Sequence, residues 1–259
     1  MLKRFIVSPW SDHDVTIHFD GQLFRVTTDE SGYFLAEIEV ELNPGWKSYK
    51  VKVDTGEKVL NKEGEVLIAD PSDLIISDID DTILVSHATS LIRKLYLLLS
   101  RNPQQRKPFK GIVDSYNSIP RKEIPFVFVS SSEWNLYDFI KDFCEYNEFP
   151  KGVYFLQKIK RWKDLFRSGG GDHMHKLEKI EQLLNLFPKA KFHLVGDSGQ
   201  RDAAIYTTLA LKYTDRVRSI HIRDLKKRKV EMVKKHFDGL PDSVFSELFE
   251  ETPDFVFIQ

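Results

Sequence analysis

The sequence predicts a parallel-sheet α/β domain preceded by a smaller all-β domain. From residue 74 onward, continuous apolar runs alternate with helical patterns. Residues 1–70 instead show period-two alternation broken by tight turns. The 259 residues are 41% hydrophobic and 30% charged, which suits folded domains and excludes a disordered chain, a collagen or a disulfide scaffold.

In the first segment, Val15, Ile17 and Phe19 alternate with polar neighbours, as do Tyr49, Val51 and Val53. Phe34, Ala36, Ile38, Val40 and Leu42 alternate with Leu35, Glu37, Glu39 and Glu41. Such spacing sends successive side chains to opposite faces of a half-buried strand. Asp20-Gly21, Ser31-Gly32, Asn43-Pro44-Gly45, Thr55-Gly56 and Glu63-Gly64 punctuate the runs. A small sandwich-like β domain spanning 1–70, without a catalytic cluster of its own, is expected.

Texture changes at Asp70-Pro71-Ser72-Asp73, and a domain of residues 71–259 follows. Leu74–Ser77, Phe126–Val129, Val153–Leu156, Phe192–Val195 and Val217–Ile222 are apolar enough for strands buried on both faces. Helical stripes separate them: Trp134, Tyr137, Ile140 and Cys144 in one, Leu177, Ile180, Leu184 and Phe187 in another. Strands alternating with helices mean βαβ units and a parallel sheet. Residues 84–122, between the first two strands, should form a small helical cap over the sheet edge.

No run reaches the ~18 apolar residues that a membrane span needs. The first nine residues are too short an apolar run for a secretory signal, and the single Cys144 cannot form an intrachain disulfide. A cytoplasmic protein is the default expectation. The net charge of -1 conceals clusters: residues 88–122 carry eight Lys/Arg and one acid, and residues 151–167 carry six and one. Clustered cations suggest an anionic partner or substrate, although a solvated basic face accounts for them equally well.

In parallel sheets, chemistry collects beyond the carboxyl ends of the strands. Asp78-Ile79-Asp80-Asp81-Thr82 follows the first buried run, Ser130-Ser131-Ser132 the second, and Gly196-Asp197-Ser198-Gly199-Gln200-Arg201-Asp202 the fourth. Carboxylates gathered at one edge repel one another, so a cation is implied. Hard oxygen donors suit Mg²⁺ rather than zinc.

This motif set resembles the haloacid-dehalogenase (HAD) phosphatase superfamily over roughly residues 74–225. The D-x-D-x-T box reads Asp78, Asp80 and Thr82; a strand-ending hydroxyl follows at Ser130, then Lys176, then G-D-x4-D with Asp197 and Asp202. The resemblance implies a Rossmannoid HAD-like sheet with flanking helices and a cap. It also implies Asp78 as nucleophile, Asp80 as acid and base, and Lys176 and Ser130 as phosphoryl stabilisers. Asp78, Asp197, the main-chain carbonyl of Asp80 and, directly or through water, Asp202 would hold Mg²⁺. Thr82, Ser131, Ser132, His175, Lys158 and Arg161 are candidate substrate contacts.

The filler between motifs is similar to the catalytic domain of the phosphatidate phosphatase family first recognised in a fungal actin-patch-associated enzyme. Ser130-Ser131-Ser132-Glu133-Trp134-Asn135-Leu136-Tyr137, Phe149-Pro150-Lys151-Gly152, His175-Lys176 and Gly196-Asp197-Ser198-Gly199 carry that likeness. It implies a Mg²⁺-dependent enzyme that releases diacylglycerol and phosphate from phosphatidate. Glu133 replaces a proline, and Gln200 an acid, relative to that pattern.

Several features keep two readings each. The stripe Leu91, Ile92, Leu95, Leu98 and Leu99, flanked by Arg93, Lys94, Arg101, Arg106, Lys107 and Lys110, fits either a cap helix facing the core or an interfacial helix meeting an anionic membrane. Lys158, Lys160, Arg161, Lys163 and Arg167 either steer phosphate or solubilise a loop. His173 and His175 lack a third ligand at zinc spacing. For Lys226-Lys227-Arg228-Lys229, a pI near 6.7 and the lack of interleaved aromatics argue against nucleic acid. The functional alternatives are a phosphatase for soluble sugar or nucleotide phosphates and a non-catalytic lipid- or protein-binding module. Protein partners are not legible.

Overall fold

The structure is a computed structural model. It describes residues 9–84, 106–119, 124–158, 172–199, 201–225 and 230–255, apart from the side chains of 172–175. Two compact units divide the chain, Met1–Asp70 and Pro71–Gln259.

The first unit holds strands β1 (Asp14–Phe19), β2 (Gln22–Thr27), β3 (Gly45–Asp54) and β4 (Val59–Ile68) in one antiparallel sheet ordered β2-β1-β3-β4. Asp20 (φ 48°) and Gly21 (φ 73°) make the two-residue link from Phe19 to Gln22, both in the left-handed region that such a hairpin needs. Val15, Ile17 and Phe19 form the core with Phe24, Val26, Tyr49, Val51 and Val53 against them.

Residues 33–43 contain no regular secondary structure, so the strand expected over 34–42 is absent. Their alternation is realised in packing only from Ala36 onward: Ala36, Ile38, Val40 and Leu42 rest on the β1 core while Leu35, Glu37, Glu39 and Glu41 are exposed, and Phe34, expected on the inner face, is exposed as well. Period-two spacing reports which side chains are buried, not whether a neighbouring backbone accepts the ladder bonds. The expected sandwich therefore reduces to one sheet with an irregular segment on its apolar face.

The second unit holds β5 (Asp73–Asp78), β6 (Phe126–Glu133), β7 (Gly152–Gln157), β8 (Lys191–Asp197), β9 (Val217–Arg223) and β10 (Phe245–Phe249). They form a parallel sheet ordered β10-β9-β8-β5-β6-β7. Counting β5 as the first strand, this is the 3-2-1-4-5-6 order of doubly wound folds. Winding reverses between β5 and β8, and the crevice beyond their carboxyl ends is where such sheets place ligands.

Helices α1 (Ile112–Asn117), α2 (Tyr137–Tyr146), α3 (Asp172–Leu186), α4 (Asp202–Lys212) and α5 (Val230–Phe237) accompany the sheet. Ile76, Val129, Leu194 and Ile220 from the strands join Ile180, Leu184, Tyr206, Leu209 and Val233 from the helices in one buried cluster. The stripe predicted for α3 holds, with Ile180 and Leu184 buried and Leu177 and Phe187 partly so. The stripe before α2 shifts. A 3-10 turn occupies Trp134–Leu136, leaving Trp134 exposed, and α2 turns Phe139, Ile140, Phe143 and Cys144 inward.

The Leu91–Leu99 stripe lies outside the described residues. The described end of the expected cap, residues 106–119, belongs to the sheet domain: Tyr116 of α1 is fully buried and its ring meets Phe126 and Phe149 at 5.3 and 6.1 Å. No helix among the described residues is long and apolar enough to cross a membrane.

Across the sheet, a buried polar chain links Asp73, His193, Ser219, His221 and Glu247. His193 bonds Ser219 at 2.7 Å and Asp73 at 3.3 Å; His221 bonds Ser219 at 2.7 Å and Glu247 at 2.5 Å. Burial holds the His193 pKa below its ordinary 6.5; His221 and Arg218 add to this, and Asp73 opposes it. The folded protein thus refuses a proton that the unfolded chain accepts below about pH 6.5, so stability falls as pH drops through that value. The His193 contribution is read as a difference, because buried acids with raised pKa values act in the opposite sense over the same range: between about pH 7.5 and 5.5 the wild-type midpoint should fall relative to that of His193→Gln, and parallel profiles would exclude His193 as a source of pH dependence.

Candidate active site

Asp78 ends β5 with only 1% of its surface exposed. Two donors hold its carboxylate: Lys176 Nζ lies 2.7 Å from Oδ1, and Thr82 Oγ1 donates to Oδ2 at 3.1 Å. Lys176, in the second turn of α3 and also buried, contacts Asp202 Oδ1 at 2.5 Å with the same ammonium. Asp197 ends β8, and its main-chain N–H donates to Asp202 Oδ2 at 3.2 Å while Gly199 N–H donates to its Oδ1 at 2.6 Å. One sheet edge and two helices thereby bring together residues spread over more than a hundred positions.

The turn after β5 is closed by its own backbone. Asp81 sits at φ 61°, and the amides of Ile83 and Leu84 return to the Ile79 carbonyl at 3.1 and 3.0 Å. That folding returns Thr82 to Asp78, four residues behind it. Asp80 turns to the neighbouring strand instead. Its Oδ2 accepts from Ser130 Oγ at 3.2 Å and from Ser132 Oγ at 3.0 Å. Residues two apart on a strand share a face, so both hydroxyls of β6 reach the same oxygen.

Asp78, Asp197 and Asp202 each offer an oxygen within 4.8 Å of the others, all three buried. Lys176 is the cation bonded to two of them, so negative charge exceeds positive in a site with little water to screen it. Burial pushes Asp78 up to about 7, with Asp202 and Asp80 adding to the rise and Lys176 opposing it. Burial and then the Asp202 and Asp78 charges lift Asp197 to about 8. Burial opposes the charge on Lys176, but Asp202 and Asp78 outweigh it and raise its pKa further. Near neutrality the cluster therefore holds protons that a bound cation would displace. The donor set of hard carboxylate oxygens fits a small divalent ion of the magnesium type.

Placement of the remaining candidates differs. Ser131 and Ser132 are half-buried at the end of β6. Lys158 is exposed just past β7. Arg161 and the side chain of His175 lie outside the described residues, as do Lys160, Lys163, Arg167, the side chain of His173, Gln200 and Lys226–Lys229. Three supporting residues were not singled out in the sequence. Ser77 donates to the Asp78 carbonyl at 2.8 Å and shares a bond of 2.8 Å with the Tyr116 hydroxyl. Arg223 donates to the Thr82 carbonyl at 3.0 Å. A polar residue ending an otherwise apolar strand run was the available signal for Ser77 and Arg223.

Fold and site together define a doubly wound α/β protein with a cation-ready acidic cluster at its switch point. The sequence model described as "Phosphatidate phosphatase APP1, catalytic domain" matches residues 74–224, more than half of the chain. The chain belongs to that family. It is similar to the phosphatidate phosphatase APP1 of Saccharomyces cerevisiae, with 28% identity over 214 residues, 79% of this chain and 35% of that protein. An uncharacterised protein of Schizosaccharomyces pombe is 25% identical over 248 residues, 89% of this chain and 40% of that one. The chain thus spans well under half the length of either relative. A solved carbohydrate acetylesterase from Xanthomonas citri aligns at a TM-score of 0.31 and 14% identity, over 95% of this chain and 65% of that one, too distant to carry an argument.

Two outcomes follow from the geometry. Saturating divalent cation, at about a hundred times its Kd, should stabilise the protein by about 2.7 kcal/mol. Asp197→Asn should remove most of that gain while leaving the metal-free midpoint equal or higher, because the site already disfavours charge there and the amide oxygen keeps the acceptor for the Gly199 N–H. A flat wild-type midpoint across millimolar Mg²⁺ and Mn²⁺ would exclude the cluster as a cation site. The second concerns Gly196, where an added Cβ would lie 2.7 Å from Asp202 Cβ and collide with its carboxylate. Gly196→Ala should displace Asp202 from Lys176 and weaken cation-induced stabilisation at least tenfold in apparent affinity, measured by thermal titration.

Proposed function

We propose that this protein is a phosphomonoesterase that acts on lipid phosphates, phosphatidate foremost, through an aspartyl-phosphate on Asp78 with Mg²⁺ as its cation. The observation that carries this is the Asp78 carboxylate, clamped by Lys176 and Thr82 beside two further buried acids. A phosphate ester repels anionic nucleophiles, so the attacking oxygen must be held in line while positive charge faces the phosphoryl oxygens. Family membership and the HAD-type motif order support the same chemistry, and the HAD-like class is part of this proposal.

In the proposed reaction, an Asp78 oxygen bonds to phosphorus as the bond to the ester oxygen breaks. Asp80, held by Ser130 and Ser132, gives its proton to the departing alkoxide. The Asp80 carboxylate then takes a proton from water, whose oxygen attacks phosphorus and frees Asp78 and inorganic phosphate. Lys176 and Ser130 stabilise the phosphoryl oxygens, and Lys176 also fixes the Asp78 carboxylate through the first step. Asp78, Asp197 and Asp202 would hold Mg²⁺, with the Asp80 carbonyl alongside; that ion supplies charge neutralisation at the phosphoryl group. Ser131, Ser132, His175, Lys158 and Arg161 are proposed contacts for the rest of the substrate. A cytoplasmic protein that touches an anionic membrane peripherally, without nucleic-acid binding, completes the proposal.

Phosphate release from phosphatidate and lysophosphatidate in mixed micelles, set beside soluble sugar and nucleotide phosphates, tests the substrate class. Lipid phosphates should be preferred in kcat/KM, EDTA should abolish turnover and Mg²⁺ should restore it. Asp78→Asn should lower kcat at least a thousandfold with the thermal midpoint retained. Retained activity in that variant would remove Asp78 as nucleophile, and preference for soluble esters would favour the second substrate class.

A further inference from the structure

Arg223 ends β9 with 1% of its surface exposed, and the reaction above assigns it no part. Its partners are main-chain carbonyls rather than a carboxylate. Nε donates to Thr82 at 3.0 Å, Nη1 to Glu250 at 2.6 Å and Nη2 to Glu251 at 3.3 Å. The rings of Phe109 and Phe249 lie 4.2 and 4.9 Å from the guanidinium carbon. Burial lowers its pKa to about 10, which still leaves it cationic at neutral pH. Burying a charge among carbonyls and rings costs desolvation, which the exposed carboxylate of Glu251 offsets only in part.

What the arrangement secures is the turn after β5. Thr82, whose carbonyl Arg223 binds, donates its hydroxyl to Asp78 Oδ2 at 3.1 Å. Asp81, next to Thr82, occupies the left-handed region at φ 61°. Aspartate enters that region more readily than most residues, so the turn is closed by Asp81 and held by the bond to the Thr82 carbonyl. The main chain of Arg223 also reaches the other acidic loop, since the Ser198 N–H donates to its carbonyl at 2.9 Å. One residue of β9 therefore braces both the Asp78 turn and the loop that carries Asp197. A planar fork reaches carbonyls of two separate segments with donors held in fixed directions, a geometry that a lysine ammonium on its single stem does not reproduce.

We propose that Arg223 is a positioning residue: through the Thr82 carbonyl it fixes the turn that aims the Asp78 carboxylate, and so governs the rate of phosphoryl transfer without touching substrate. This rests on Asp78 being the nucleophile. The family match ends at residue 224, whereas Glu250 and Glu251, which anchor the far end of the guanidinium, lie beyond it. The Asp78 turn is thus secured by main chain from outside the matched segment.

Steady-state kinetics on p-nitrophenyl phosphate and phosphatidate, with thermal midpoints for each variant, test the proposal. Arg223→Lys should lower kcat roughly tenfold or more with KM within about twofold. Millimolar guanidinium should restore part of the lost kcat in Arg223→Ala and none in wild type. Phe109→Leu, which keeps the arginine and removes one ring from it, should lower kcat about two- to fivefold, and it decides the matter if the Arg223 variants do not fold. Phe143→Leu, at a buried ring of α2 in contact with Phe149, serves as the control for destabilisation alone. Wild-type kcat in a folded Arg223→Lys, or the same kcat loss in Phe143→Leu at matched stability, would overturn the inference. A wild type inactive on every ester would sink the functional reading itself; an active wild type with unaffected variants sinks only the role of Arg223.

Discussion

A single buried ammonium lets three carboxylates share the edge of this sheet. Lys176 Nζ spans Asp78 and Asp202 at 2.7 and 2.5 Å, and all three side chains are almost wholly withdrawn from water. Deleting the lysine would leave uncompensated charges in a weakly screening interior, among the most destabilising changes a fold can suffer. Burial, and after it the charges of the neighbouring acids, leave Asp78 and Asp197 holding protons at pH values where exposed carboxylates are ionised, although Lys176 opposes the rise. The site is stored electrostatic strain, and it is built where the backbone can bear it: at strand ends, with Gly196 leaving room for the Asp202 side chain.

Topology explains why these groups meet. The first strand of a doubly wound sheet lies at its centre, and the fourth lies next to it on the other side of the winding reversal. Asp78 and Asp197 sit at the carboxyl ends of those two strands and so are neighbours across the crevice. The bracing is divided in the same way. Lys176 on α3 holds the carboxylates, while Ser77, itself bonded to the Tyr116 hydroxyl, and Arg223 hold the main-chain carbonyls of Asp78 and Thr82. Side-chain charge is thus set by one group of residues and backbone direction by another.

Five strands of the parallel sheet were legible because burial leaves mainly apolar runs, even where Arg218, Ser219 and His221 interrupt the last, and all five such runs are strands. β10 was not. Phe245-Ser246-Glu247-Leu248-Phe249 is a half-buried edge strand whose composition resembles a loop. β2 and β4 were missed for a related reason, since β4 exposes seven of its ten residues and leaves the other three only partly covered. In residues 33–43 the signal was present and its meaning was narrower: alternation predicted the burial of Ala36, Ile38, Val40 and Leu42 and not the hydrogen bonds.

The acids themselves were found by one positional rule, that chemistry follows a buried parallel strand. The rule locates a charged residue but not its partners. That Lys176 would bond Asp202 as well as Asp78, or that Ser130 and Ser132 would both turn to Asp80, depends on the length of α3 and on the register shift in β6 between Val129 and Glu133. Arg223 obeys the same rule at the end of β9, yet as a cation it reads as a surface residue until the C-terminal chain is seen to return over it. A charged residue that closes an apolar parallel strand is therefore informative whatever its sign: here the acids make the cluster, and the base fixes the turn on which the foremost acid is carried.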